Sequence, residues 1–286
     1  MGEDSARAVS ERAAALIDGD GVARSLAVAV AVEQPLQILL AGEPFAVTMR
    51  TPGQDRELVA GLLLAEGLIG GVADLGGLSH CGRPGEAGFG HTMEVKPGPG
   101  FSFDLEERAP IRRGTLTASS CGVCGRERID DLLSRMGPLA PGAPLSLAVL
   151  RASTATLEAH QPGFAKSGGL HGAAVLDCDG RMLTAREDVG RHNAVDKAIG
   201  ALLLAGRLPP GERQQGEQPA VLVISGRISF EIVQKALAAG LRAVCGISAP
   251  SSLAIDLAQE AGLTLAAFVR EGRLSLFTDV ERVSEP

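Results

Sequence analysis

The chain has 286 residues, 45% of them hydrophobic, and a formal net charge of -7, enough apolar content to bury a core as one large domain or two modest ones. The negative balance removes general attraction to nucleic acid or anionic membrane, and the lack of Trp and Tyr, with only 8 Phe, removes the stacking platforms of a single-strand binder. No apolar run reaches bilayer length, and the odd, scattered cysteines Cys81, Cys121, Cys124, Cys178 and Cys245 fit a reducing cytoplasm better than a disulfide framework.

Residues 1–24 mix Ala, Arg, Asp and Gly without a core pattern and read as a short helix or frayed tail. Apolar runs at 36–40 and 45–49 flank Ala41-Gly42-Glu43-Pro44, a hairpin signal. From Asp55, the residues Leu58, Val59, Leu62 and Leu63 recur at helical spacing, with Gly67 placed to stop the helix. The glycine-rich stretch 70–100 holds one expected strand at 91–95, and another is expected near 101–105. Ile129, Leu132, Leu133 and Met136 mark an amphipathic helix over 126–136, ended by Gly137-Pro138. Residues 138–144 read as a linker, and 145–150 as either a strand or a helix lead-in.

The second half is more regular. A hairpin is expected around Asp177-Cys178-Asp179-Gly180, then a helix through Val195, Ala198, Ile199, Leu202 and Leu203. A polar loop spans 209–219. Strands at 221–224, 243–247, 263–269 and 274–278 alternate with helices at 232–237 and 253–261. That alternation predicts an α/β layer with a largely parallel sheet. The expected division is a tail at 1–24, a smaller β-rich domain at 25–137, the linker, an α/β domain at 145–280 and a tail at 281–286.

Ser120-Cys121-Gly122-Val123-Cys124-Gly125 places two thiols at one glycine-flanked site. Such a pair serves as half of a zinc site, a redox dithiol, or a nucleophilic thiolate with a neighbour. A helix N-terminus and the nearby Arg112, Arg113, Arg126 and Arg128 favour the thiolate. Zinc needs further ligands, which Cys81, His80 and His171 supply only through the fold, so no metal is expected. Glu187-Asp188-Val189-Gly190-Arg191-His192-Asn193 packs acids, cations and an amide before a helix, with Asn193 as its expected cap. Two strands then run into Ser225-Gly226-Arg227-Ile228-Ser229 and Ser248-Ala249-Pro250-Ser251-Ser252, where hydroxyls, backbone N–H groups and Arg227 suit a phosphate. A third loop, Phe268-Val269-Arg270-Glu271-Gly272-Arg273, offers an aromatic face and two guanidiniums to a nucleotide, or is simply a charged hairpin turn.

These motifs, with Met49-Arg50-Thr51-Pro52-Gly53, Ala65-Glu66-Gly67, Gly168-Gly169-Leu170-His171 and Ala194-Val195-Asp196-Lys197, resemble the FdhD/NarQ family, the formate dehydrogenase accessory sulfurtransferases. The likeness covers roughly residues 30–280. It implies an α/β (α+β overall) protein whose C-terminal layer is similar to cytidine deaminases, with a smaller β-rich N-terminal domain. It further implies a cytoplasmic homodimeric sulfur carrier that takes sulfane sulfur from a cysteine desulfurase. The sulfur passes to a molybdenum bis(pterin guanine dinucleotide) cofactor for the catalytic subunit of formate dehydrogenase. Carried onto this chain, the persulfide falls on Cys121 with Cys124 as its partner, and the cofactor-binding segment on residues 268–273. Ser225, Gly226, Arg227, Ser248, Glu187, Arg191 and His192 are expected to join it, with GDP binding as a fragment. A zinc-dependent deaminase-like hydrolase is the rival reading. Gly172 and Ala173 after His171 do not make its H-x-E signature, and the C-x-x-C precedes the histidine. A thioredoxin-like oxidoreductase leaves the phosphate-type loops idle, while a non-catalytic assembly scaffold stands as the binding-protein alternative, one that still matures the dehydrogenase with both Cys121 and Cys124 replaced by Ala.

Overall fold

In this computed structural model the described residues are 8–17, 19–21, 23–86, 88–99, 101, 138–139, 144–208, 218–278 and 280–284. They begin with a correction: residues 9–17 are not a helix or tail. They form strand β1 (Val9–Ile17), paired antiparallel along its whole length with β2 (Ala23–Ala31). Alanine-rich β1 has little strand preference of its own, and β2, with Leu26, Val28 and Val30 at alternate positions, supplies the ladder that fixes it.

The expected hairpin is present as β3 (Gln34–Leu40) and β4 (Glu43–Arg50). Helix α1 (Asp55–Ala65) follows, and Gly67 takes a left-handed φ of 67° just beyond it. The glycine-rich stretch holds two strands, β5 (Leu75–His80) and β6 (Thr92–Pro97), which complete a four-stranded sheet in the order β4-β3-β6-β5. Gly76 and Gly77 carry no side chains, so the alternation that would announce β5 is missing from the sequence. The expectations for residues 102–105, for the helix at 126–136 and for Cys121 and Cys124 lie outside the described residues.

Residues 145–150 resolve as both alternatives, a two-residue strand β7 (Leu145–Ser146) leading into α2 (Leu147–Glu158). A short helix α3 (Pro162–Ser167) precedes the hairpin of β8 (His171–Asp177) and β9 (Met182–Asp188). Then come α4 (Arg191–Leu204), β10 (Pro219–Ile224), α5 (Phe230–Ala238), β11 (Ala243–Gly246), α6 (Ser252–Ala261), β12 (Thr264–Arg270) and β13 (Arg273–Leu276). A last strand, β14 (Val283–Ser284), pairs with β7.

The six-stranded sheet runs β13-β12-β11-β10-β8-β9. Only its centre is parallel: β10, β11 and β12 run together, while β8, β9 and β13 are antiparallel to their neighbours. The sheet is therefore mixed, because β8–β9 and β12–β13 are joined by tight turns that permit only antiparallel pairing. Alternate residues of the central strands face opposite ways. Val175, Leu222, Val244 and Leu265 join α1, α4, α5, α6 and the N-terminal sheet in one core cluster. Val221, Val223, Cys245 and Val269 meet α2 residues Leu150 and Leu157 in a second. Between the two sheets α1 packs on α4, and a Cβ at Gly61 would collide with the Asp196 carbonyl, as one at Gly200 would with that of Glu57. Paired glycines are what let these helices touch backbone to backbone.

Candidate functional site

The parallel strands β10 and β11 end at one edge of the sheet, and the chain brings most of the predicted residues there. The 225–229 and 248–252 loops are tied together: Ile228 N–H donates to the Ala249 carbonyl at 3.1 Å and Ser251 N–H to that of Ile228 at 2.9 Å. The third loop joins them through Phe268 N–H to the Ser248 carbonyl at 3.4 Å and Arg270 Nη2 to that of Ile247 at 3.3 Å. On the other side, Ser225 Oγ accepts from Gly172 N–H at 2.9 Å. Gly226 leaves no room beyond ordinary contact, since a Cβ there would lie 3.4 Å from Arg191 Cδ and 3.6 Å from His171 Nδ1. His192 Nε2 is 3.1 Å from Ser229 Oγ and 3.0 Å from Glu231 Oε2. The start of β8, the N-termini of α4, α5 and α6, and the β12 bulge thus share one rim.

Electrostatics at this rim is strained toward positive. Burial, and then the like charge of Arg227, pull the Arg191 guanidinium below its usual range, while Glu231 opposes them. Arg191 Nε is a buried donor with no hydrogen-bond partner. His171 is pushed below the ordinary imidazole value by burial first, then by Arg191 and His192, with Asp188 acting against them. Glu231 is held below the usual carboxylate range, chiefly by its hydrogen bond to His192. Two neighbouring cations, an unsatisfied guanidinium N–H and several helix N-termini form a surface that gains from an anion. His171 is absent from the residues that the sequence assigns to the ligand. The signal was there, a histidine at a strand start beside a glycine run, but only the fold sets it beside Gly226.

Phe268 sits at a break in register between Ala267 and Arg270, with a left-handed φ of 53° and 41% of its surface exposed. A bulky residue held in that region costs on the order of 1 kcal/mol or more, the kind of strain that collects at ligand clamps. Val269 points the other way into the second core cluster. Glu271 and Gly272, both with positive φ, make the hairpin turn, and Arg273 pairs with Glu271 in the open at 2.8 Å.

The remaining motif residues do different work. Glu187 accepts from Gly163 and Phe164 N–H groups at 2.8 and 2.7 Å, fastening the start of α3. Asp188 and Lys197 form a fully buried pair at 2.7 Å. Lys197 also donates to the Thr51 carbonyl at 2.8 Å, and Asp188 accepts from Thr51 N–H at 3.0 Å. Asn193 is not the helix cap: α4 starts at Arg191 after Gly190. Its amide instead donates to the Met49 carbonyl at 2.7 Å and to Asp188 at 3.1 Å, because buried Asp188 already accepts from Gly190 N–H at 2.9 Å. Arg50, 2% exposed, binds Asp55 through two nitrogens and the Gly90 carbonyl through one of them. Half of the sequence signature is thus a polar seam joining the N-terminal sheet to the α/β layer.

His80 leans on Asp55 at 3.3 Å whereas His171 lies at the rim beside Gly226, so these two candidates for completing a zinc site have different surroundings. Among the described residues no group of three or more His, Cys, Asp or Glu is placed to hold a metal. Cys245 is buried and burial pushes its thiol up to about 12, which makes it inert. Cys81 is half-buried. Among the described residues no helix is long and apolar enough to cross a membrane.

A profile of the FdhD/NarQ family matches residues 31–284. The sulfur carrier protein FdhD of Anaeromyxobacter dehalogenans is 48% identical over 278 residues, 97% of this chain and 94% of that protein. The one from Mycobacterium tuberculosis is 42% identical over 262 residues, 89% of this chain and 91% of that protein. A crystal structure from Desulfotalea psychrophila, assigned as a formate dehydrogenase accessory protein, shares the fold with a TM-score of 0.71. Its sequence identity is 23%, over 96% of this chain and 99% of that one.

Proposed function

The chain belongs to the FdhD/NarQ family, and from that membership we propose that it is a cytoplasmic, homodimeric sulfur carrier that serves formate dehydrogenase. Cys121, as thiolate, attacks the outer sulfur of a cysteine desulfurase persulfide. The donor cysteine leaves as thiolate and the outer sulfur stays as Cys121–S–SH. The acceptor is the molybdenum bis(pterin guanine dinucleotide) cofactor as substrate, its pyrophosphate and guanine held along the sheet rim. Cys124 completes the delivery: its thiolate attacks the inner sulfur of the persulfide, closing a Cys121–Cys124 disulfide and releasing hydrosulfide. The two electrons come from the thiols.

The observation that carries the acceptor assignment is Arg191 Nε, buried and unpartnered in a side chain that lies against Gly226, with Arg227 near enough to act on it as a like charge. Two guanidiniums on one rim, one of them with a buried N–H to spare, are suited to a phosphate pair. The fit extends to guanine, for which exposed Phe268 gives a flat apolar face beside Arg270. Glu231 and His192 balance the rim so that it is not uniformly cationic. Val269, buried, and Glu187, committed to α3, are left as supports of this rim and do not touch the ligand.

Intact mass after incubation with a cysteine desulfurase and cysteine tests the carrier step. A gain of one sulfur in the wild type and none in Cys121→Ala is expected. A gain of equal size in both would overturn it. For the rim, GDP is the probe: Arg191→Ala and Arg227→Ala each lose about tenfold or more in affinity, and unchanged affinity in both removes the phosphates from this edge.

A further inference from the structure

Gln161, the residue before α3, is 5% exposed, and its side chain makes no capping bond to that helix. Its amide Nε2 is buried without a hydrogen-bond partner, a costly state for a polar group. The side chain lies on Gly172, where a Cβ would come within 2.4 Å of Nε2 and 2.5 Å of Cδ, so glycine at 172 is what gives the amide its place. Gly172 is the second residue of β8 and is tied to the loop after β10: its N–H donates to Ser225 Oγ at 2.9 Å, and its carbonyl accepts from Ser225 N–H at 3.0 Å. Gln161 therefore sits at the β8 end of the rim. Alternation along β8 puts His171 on the face of Ala173, in the first core cluster, and Gly172 on that of Ala174, in the second. The amide thus lies on the opposite face of β8 from His171.

We propose that Gln161 is a binding residue for a pterin of the acceptor, its amide N–H donating to the pterin ring carbonyl; this rests on the reading of the rim as the acceptor site. The ligand's parts come in a fixed order of guanine, ribose, pyrophosphate and pterin, and the strands of the sheet in the order β12-β11-β10-β8. Guanine against Phe268 at β12 and pyrophosphate at Arg227 after β10 are two strand spacings apart, roughly 10 Å. The next group of the ligand then falls at β8, where Gln161 lies. Charge makes the same choice. The cations Arg191 and Arg227 serve the phosphates, whereas an uncharged amide donor suits an uncharged acceptor, and the pterin ring carries one in its carbonyl. With Nε2 unbonded, and the last torsion of a glutamine soft, a turn of the amide carries the donor to the ligand.

Three equilibria measured on the full chain test this: the urea midpoint without ligand, the affinity for GDP, and the affinity for metal-free pterin guanine dinucleotide. Wild type binds the pterin dinucleotide more tightly than GDP. Gln161→Met keeps the length of the side chain and removes the donor. Its midpoint is unchanged or higher, since the unpaired polar group is gone, and its GDP affinity is unchanged. Its affinity for the pterin dinucleotide falls about tenfold. Gln161→Glu sets an acceptor where the donor was and loses at least as much, so either variant alone can decide. Affinity for the pterin dinucleotide that is no tighter than for GDP in wild type, that is unchanged in both variants, or that falls only in step with GDP affinity or with the midpoint, overturns the assignment and leaves the rim standing. GDP affinity indifferent to both Arg191→Ala and Arg227→Ala removes the rim itself, and this inference with it.

Discussion

Asp188, Asn193 and Lys197 lie within a few residues of Arg191 and His192, yet the two sets work in different media. The first set is a dry seam in which every charge has a partner: Lys197 and Asp188 are fully buried, and Thr51 donates to one and accepts from the other. The second set is half-open, with Arg191 under the like charge of Arg227 and a guanidinium N–H left over. Dense polar motifs therefore carry two meanings, and the counter-charge separates them: even Arg50, whose Nη1 is buried without a hydrogen-bond partner, is paired with Asp55, whereas Arg191 meets the like charge of Arg227. A buried network with its charges paired holds a fold together, whereas a mutually repelling one gains from an anion.

The sharpest way to break that distinction is to unpair the seam. Lys197→Met leaves Asp188 buried without its counter-charge and is expected to cost about 3–5 kcal/mol, read as a large drop in the urea midpoint. A loss of GDP binding with the midpoint unchanged would place Lys197 in the ligand site instead. Next in size is Gly200→Ala, which drives a methyl group into the Glu57 carbonyl and forces α1 from α4. It is expected to cost about 1–3 kcal/mol, again without a specific effect on ligand affinity.

A third prediction concerns pH. Burial, opposed by the Lys235 ion pair, raises the Asp196 carboxyl to about 6. The folded chain thus keeps a proton that the unfolded chain loses near its ordinary value. The associated stabilisation is complete below about pH 4 and disappears as pH rises through about 6. Urea midpoints of wild type and Asp196→Asn, compared from pH 4 to 7, should show the wild type losing ground over that window. Parallel profiles would contradict the burial argument. The smallest effect on stability belongs to the rim. Arg227→Ala relieves repulsion on Arg191, so the unfolding midpoint moves by no more than about 0.5 kcal/mol or rises slightly, while GDP affinity falls.

Much of the α/β layer was legible because its strands are short apolar runs bounded by turn residues, and β10, β11 and β12 run into the loops proposed to meet a ligand, at the ends where such sheets place them. Two kinds of element were not. Strand β1 reads as a short helix or frayed tail because pairing, not propensity, makes it a strand, and β5 hides behind Gly76 and Gly77. At the site, the sequence grouped Glu187 with Arg191 and His192 by adjacency, although Glu187 points to α3 and His171, sixteen positions before it, points to the rim. Alternation along β9 sends neighbours to opposite faces, and no motif states which of Glu187 and Asp188 turns to α3 and which to the seam.

The central claim, sulfur on Cys121 and its acceptor on the Arg191–Arg227 rim, is tested most directly by loading the protein with labelled sulfane sulfur and following the label after addition of the molybdenum cofactor. Wild type should load and deliver, Cys121→Ala should not load, and Arg191→Ala with Arg227→Ala should load fully yet deliver far more slowly. Delivery at the wild-type rate from the rim variant, or loading of Cys121→Ala, would contradict the account.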